Sequence, residues 1–134
     1  MKVIDRLFVV AYGAEAPSDR DWARYLDQVE SHGVESTMQL VATEGGEPTA
    51  RQRRELAEVV QGRWVPVVVL SNNRRIRATV TALSWFNRRI KAFPPADLRD
   101  AIDYLEIPRS RFDLIAGELA VLRLEVGLPE VRAA

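Results

Sequence analysis

The chain has 134 residues, 47% of them hydrophobic and 28% charged, with 19 Lys and Arg balanced by 19 Asp and Glu. Such a chain is long and apolar enough to bury a core as one globular domain, which excludes wholesale disorder. The absence of cysteine excludes disulfides, thiolate nucleophiles and iron–sulfur clusters, and a single histidine leaves no set for a His- or Cys-built metal site.

Leu7-Phe8-Val9-Val10-Ala11-Tyr12 is an apolar, aromatic and β-branched run that reads as a strand ending at Gly13, with Lys2 to Arg6 as a short strand before it. Ser18 caps the helix that follows, with Asp21 three residues on, and Trp22, Tyr25, Leu26 and Val29 form its apolar face up to a capping Gly33. Met38 to Ala42 reads as the next strand, and Thr43 to Pro48 as a turn. Thr49 and Gln52 form a capping box for a helix lined by Leu56, Val59 and Val60 that stops at Gly62.

Trp64 to Leu70 reads as a strand whose unbroken apolar run suits a parallel sheet covered on both faces, with Pro66 near its start. Ser71-Asn72-Asn73 caps a helix with Ile76, Val80 and Leu83 inward, ending near Trp85-Phe86-Asn87. Ile90 to Phe93 is a short strand stopped by Pro94-Pro95. Asp97 opens a helix with Leu98, Ala101, Ile102 and Leu105 on one side, broken by Pro108. A last helix runs from about Ser110 to Val126, before Gly127 and Pro129. Strands alternating with helices imply βαβ units and a mostly parallel sheet.

The stretch Val65 to Arg77, then Trp85-Phe86, Ile90-Lys91-Ala92-Phe93 and Asp97 to Leu105, resembles the SpoIIAA-like branch of the STAS superfamily: strand, polar turn, basic helix, short strand ending in Phe, closing acidic helix. The resemblance covers roughly residues 3–107. It implies a single α/β sandwich of four to five mostly parallel strands with helices packed on the sheet, used for regulation, protein contact or ligand sensing without catalysis. On that reading residues 1–108 are the STAS-like domain, 109–128 an extra C-terminal helix on the domain or at an oligomer interface, and 129–134 a tail. The resemblance implies that regulators of this kind carry a phosphorylatable Ser in an Asp-Ser-type turn before the second helix. Thr49 stands there in this chain, with no Asp before it.

Four constellations bear on function. His32, beside Gly33, sits where an imidazole meets the carbonyl end of a helix, and no nucleophile elbow accompanies it. Thr43-Glu44-Gly45-Gly46 lacks the lysine and second glycine of a phosphate loop and reads as a tight turn, with Glu44 as the one carboxylate placed to be tested as a general base. In open α/β sheets ligands bind beyond the carboxyl ends of the strands. Those ends present Tyr12, Gly13, Thr43, Glu44, Gly45, Thr49, Ser71, Asn72, Asn73 and Phe93, with Arg74 and Arg75 following. Asn72, Asn73 and a helix N-terminus suit a small anion or lipid headgroup, or Ser71 and Asn73 simply cap the helix.

Residues 51–91 carry ten Lys and Arg against two Asp and Glu, and the rest of the chain the opposite balance. Arg74, Arg75, Arg77, Arg88, Arg89 and Lys91 beside Trp85 and Phe86 form a patch that an acidic partner, or the chain's own Asp97, Asp100, Asp103 and Glu106, would neutralise; zero net charge argues against nucleic acid. In the last helix Phe112, Ile115, Leu119, Leu122 and Val126 follow three- and four-residue steps as a heptad seam, while Leu114, Val121 and Leu124 add apolar surface elsewhere. That helix is a candidate interface with a protein partner or a second copy. No run of about 20 apolar residues spans a bilayer, and charge interrupts the N-terminus too early for a signal peptide. The expectation is a cytoplasmic, non-catalytic interaction module with no cofactor or metal; the alternative is a binder of a small anion or lipid headgroup at the strand ends.

Overall fold

The computed structural model describes residues 1–63, 65–84 and 89–131. The expected start of the third long strand at Trp64, the aromatic pair Trp85-Phe86, Asn87, Arg88 and the last three residues of the tail lie outside the described residues. The architecture is α/β: a five-stranded, mostly parallel sheet with five α-helices packed on it among the described residues.

The strands are β1 (Lys2–Ile4), β2 (Leu7–Tyr12), β3 (Met38–Thr43), β4 (Val67–Leu70) and β5 (Ile90–Phe93), side by side in chain order. β1 runs antiparallel to β2 through a two-residue turn in which Asp5 takes a left-handed φ of 55°. The remaining pairs are parallel, and their register lines up Tyr12 with Thr43, Ala42 with Leu70, and Leu70 with Phe93. The carboxyl ends of β2 to β5 therefore form one edge, as expected for this topology. β4 starts later than its apolar run suggests, because Pro66 has no N–H to give the ladder.

Helices α1 (Asp19–His32), α2 (Ala50–Val60) and α3 (Arg74–Ser84) connect successive parallel strands. Right-handed crossovers between strands in sequential order place all three on one face. There Phe8 packs with Val29, Val34, Tyr25, Val59 and Val60. Helices α4 (Leu98–Tyr104) and α5 (Phe112–Glu125) cover the other face, where Leu7, Val9, Leu40, Ala42, Val68 and Leu70 meet Ala101, Ile102, Leu105, Ile115, Leu119 and Leu122. Both faces of the central strands are thus buried, as their continuous apolar runs require.

Single 3-10 turns at Pro95–Asp97 and Arg109–Arg111 lead into α4 and α5, so each helix starts slightly later than its sequence signal. Ser18 accepts from the Asp21 N–H, the Thr49–Gln52 capping box forms with both bonds, and Gly33 closes α1 at φ 82°. No helix among the described residues is long and apolar enough to cross a membrane.

Candidate functional site

The strand-end site is built from the two loops that follow β3 and β4. Thr43 is buried and donates its hydroxyl to the Gly46 carbonyl at 2.6 Å, while the Gly45 N–H donates back to Thr43 Oγ1. This tight turn aims Glu44 sideways at the β4–α3 loop. The Asn72 N–H donates to both carboxylate oxygens of Glu44, at 2.9 and 3.1 Å, and the Ser71 hydroxyl lies 3.4 Å from Oε2. Asn73 Nδ2 donates to the Glu44 carbonyl, and Asn73 Oδ1 accepts from the Arg75 and Ile76 N–H groups.

The structure therefore brings together Thr43, Glu44, Ser71, Asn72 and Asn73, but the carboxylate that meets these donors belongs to the chain. Asn73 caps α3, and Glu44 stands where an external anion was expected. Arg74 and Arg75 point away into solvent as exposed side chains. Thr49 lies at the far end of its turn, where its side chain is committed to capping α2. Gly45 is exposed with open space around it.

The neighbouring loop after β2 is held against this one. Gly46 N–H donates to the Gly13 carbonyl at 2.9 Å, and a Cβ on Gly46 would collide with the carbonyls of Gly13 and Glu15. A hollow of about 600 Å³ opens beside it, lined by Tyr12, Gly13, Pro17, Trp22, Tyr25 and Val126 among others. Burial pushes the phenols of Tyr12 and Tyr25 well above the usual tyrosine range, and the proximity of Tyr12 adds to the effect at Tyr25. Both stay protonated near neutral pH, and Tyr25 donates to Gln39 Oε1 at 2.9 Å. Tyr25 therefore serves as a donor, and both rings wall the hollow.

His32 is exposed on the last turn of α1, where Nδ1 lies 2.9 Å from the Gln28 carbonyl and the ring packs edge-on against Phe8. That is a helix-end and packing role. Among the described residues, no group of three or more His, Asp and Glu side chains converges in a way that could hold a metal ion. The basic stretch divides: Arg74, Arg75 and Arg77 are on α3, whereas Lys91 stacks on Phe93 and Tyr104 on the α4 face, at 5.1 and 5.7 Å from the ring centres. Asp103 of α4 pairs with Arg109 at 3.0 Å rather than with α3.

The α5 seam turns inward. Ile115, Leu119 and Leu122 are buried in the chain's own core and Phe112 packs against it, so these four are structural here; Val126 is partly exposed at the helix end. The surface left for a partner is the opposite stripe, where Leu114, Val121 and Leu124 are 45, 52 and 78% exposed. Val121 and Leu124 of this stripe also line a groove of about 550 Å³ between the start of α4 and α5, together with Pro95, Leu98, Phe112, Ala116 and Leu128 among others.

The sequence alone does not single out Arg123. It is 4% exposed in the middle of this layer, with Nε and Nη2 donating to the Pro129 carbonyl at 3.3 and 2.9 Å. Desolvation lowers its proton affinity, and the nearby negative charge of Glu44 partly restores it. The one sequence signal was an arginine inside an otherwise apolar run, Val121-Leu122-Arg123-Leu124. Comparison with known proteins returns no matching family, curated protein or solved structure.

Proposed function

We propose that this chain is a non-catalytic interaction module whose docking surface is the outer face of α5. The observation that carries the reading is the exposed stripe Leu114, Gly117, Val121 and Leu124, at helical spacing, on a helix already apolar on its buried side. A helix apolar all round is normally covered all round. Covering one exposed leucine gains about 1.5–3 kcal/mol, so the stripe alone can support a modest complex.

The charges beside the stripe select the partner. Asp113 and Glu125 flank it, as does Glu118, which pairs with Lys2 at 3.9 Å, while Arg123 is buried and Arg111 pairs with Asp5 at 3.3 Å. Two copies packed along this stripe in either direction would set acids against acids, at a few tenths of a kcal/mol per pair. Those terms are too small to drive binding but large enough to choose between partners. The fitting occupant is an amphipathic helix of another protein with basic residues at its flanks. The element order and sequential parallel strands support the STAS-like reading of this domain.

The test uses two labelled peptides with the same leucine stripe, one flanked by Lys and Arg and one by Glu, titrated with the full chain by fluorescence anisotropy. Binding of the basic peptide at least tenfold tighter, lost in Val121→Glu/Leu124→Glu, supports the reading. Equal binding of both peptides, or binding of neither, overturns it.

A further inference from the structure

The groove between α4 and α5 is apolar along most of its length, yet it contains a buried guanidinium. Arg123 is the single cation among its described lining residues, and it is more than nine-tenths buried. A guanidinium offers five N–H donors in a plane, and its Nε–Nη2 edge matches the two oxygens of a carboxylate. In this chain that edge closes on one neutral oxygen, the Pro129 carbonyl. Nη1 is buried with no hydrogen-bond partner among the described residues. A buried charge with an orphaned donor is costly unless an anion completes it. Glu44 contributes opposite charge and Glu130 also lines the groove, but neither forms an ion pair with Arg123 within 4.0 Å among the described residues. The Glu44 carboxylate is itself held by Asn72 and Ser71.

We propose that this groove binds a small apolar monocarboxylate. Its carboxylate takes the Nε–Nη2 edge of Arg123 and brings the negative charge that the buried guanidinium lacks, and its hydrocarbon part lies along Leu98, Phe112, Ala116 and Ala120. The segment Leu128–Val131 also lines the groove, and its Pro129 carbonyl holds the place of one ligand oxygen. Binding displaces that carbonyl and exchanges a neutral acceptor for a charged, bidentate one. A volume of about 550 Å³ lies in the range of small-molecule sites. This site goes beyond the docking reading; Val121 and Leu124 of the docking stripe also line the groove, so Arg123 is the residue that separates the two readings. Its determinant, Arg123, lies on the groove side of α5, and the peptide stripe does not use it.

The experiment is isothermal titration of the full chain with decanoate, and with 1-decanol as the uncharged match, below micelle formation. Decanoate is expected to bind at least tenfold more tightly than decanol. Arg123→Lys, which keeps the charge but removes the fork, is expected to lose about tenfold. Glu44→Gln, which removes the competing negative charge, is expected to tighten binding severalfold, and it keeps the test open if the Arg123 variant does not fold. Arg99→Gln, on an exposed cation stacked on Phe112 at 4.2 Å, is the control and should leave affinity unchanged. Equal binding of decanol and decanoate, no binding of decanoate, weaker binding in Glu44→Gln, or a loss in Arg99→Gln in place of Arg123→Lys would each overturn the proposal.

Discussion

The indole N–H of Trp22 donates to the main-chain carbonyl of Gln52 across 3.1 Å, tying the first turn of α1 to the first turn of α2. The Gln52 side chain, 1% exposed, completes the joint. Its Nε2 donates to the Pro17 carbonyl and to Asp19, and its Oε1 accepts from the Thr49 N–H. One residue therefore closes a capping box and fixes the loop that walls the hollow beside β2. Gln52→Ala removes these three part-buried bonds and the packing of a buried side chain, a loss of about 2–3 kcal/mol. For a chain of this size that lowers Tm by roughly 10 °C. A thermal melt of Gln52→Ala beside the native chain checks it, and a loss below about 1 kcal/mol would mean the loops hold without the glutamine.

Gly46 and Gly45 are adjacent but face different surroundings. A methyl on Gly46 meets the carbonyls of Gly13 and Glu15, which are backbone and cannot swing aside, whereas nothing lies near Gly45. Gly46→Ala is expected to cost about 3 kcal/mol or more. Gly45→Ala, with no positive φ to forbid it, should shift stability by less than about 1 kcal/mol, on the stabilising side. Urea unfolding of the pair checks both, and similar losses in the two variants would contradict the close approach of the two loops.

The Asp103–Arg109 pair sets a small acid dependence. The hydrogen bond from Arg109 holds the Asp103 carboxyl below its ordinary 3.8 in the folded chain. A depressed folded-state value means the contribution is fully present above the unfolded value and is lost as pH falls through the folded one. Both side chains are exposed, so salt screens the effect. Arg109→Gln should be slightly less stable than the native chain at pH 6, with a gap that shrinks as pH falls below 3.8 and that added salt narrows. Melts across that range read it directly, and a gap that widens in acid would contradict the assignment.

Much of the fold is legible along the chain because its signals are local. Ser18, the Thr49–Gln52 box, Asn73 and Gly33 each act within a few residues, and the apolar run of β4 announces a strand covered on both faces. The site is less legible because its contacts are long-range. Ser71-Asn72-Asn73 reads correctly as a donor-rich helix start, but its carboxylate comes from Glu44, 28 residues before Asn72. The seam of α5 reads equally well as an interface or as core, since periodicity shows that a face is apolar and not what covers it. Arg123 was missed because a single arginine in a helix usually reaches solvent, and only the packing of the tail over it makes it buried.

Sedimentation velocity of the full chain, alone at high concentration and with an equimolar helical peptide carrying a leucine stripe and basic flanks, tests the docking surface most directly. The expected result is a monomer alone and a one-to-one complex with the peptide, abolished by Val121→Glu/Leu124→Glu. A chain that dimerises on its own, and that the same double substitution disperses, would contradict the assignment by making a second copy the occupant of the α5 face.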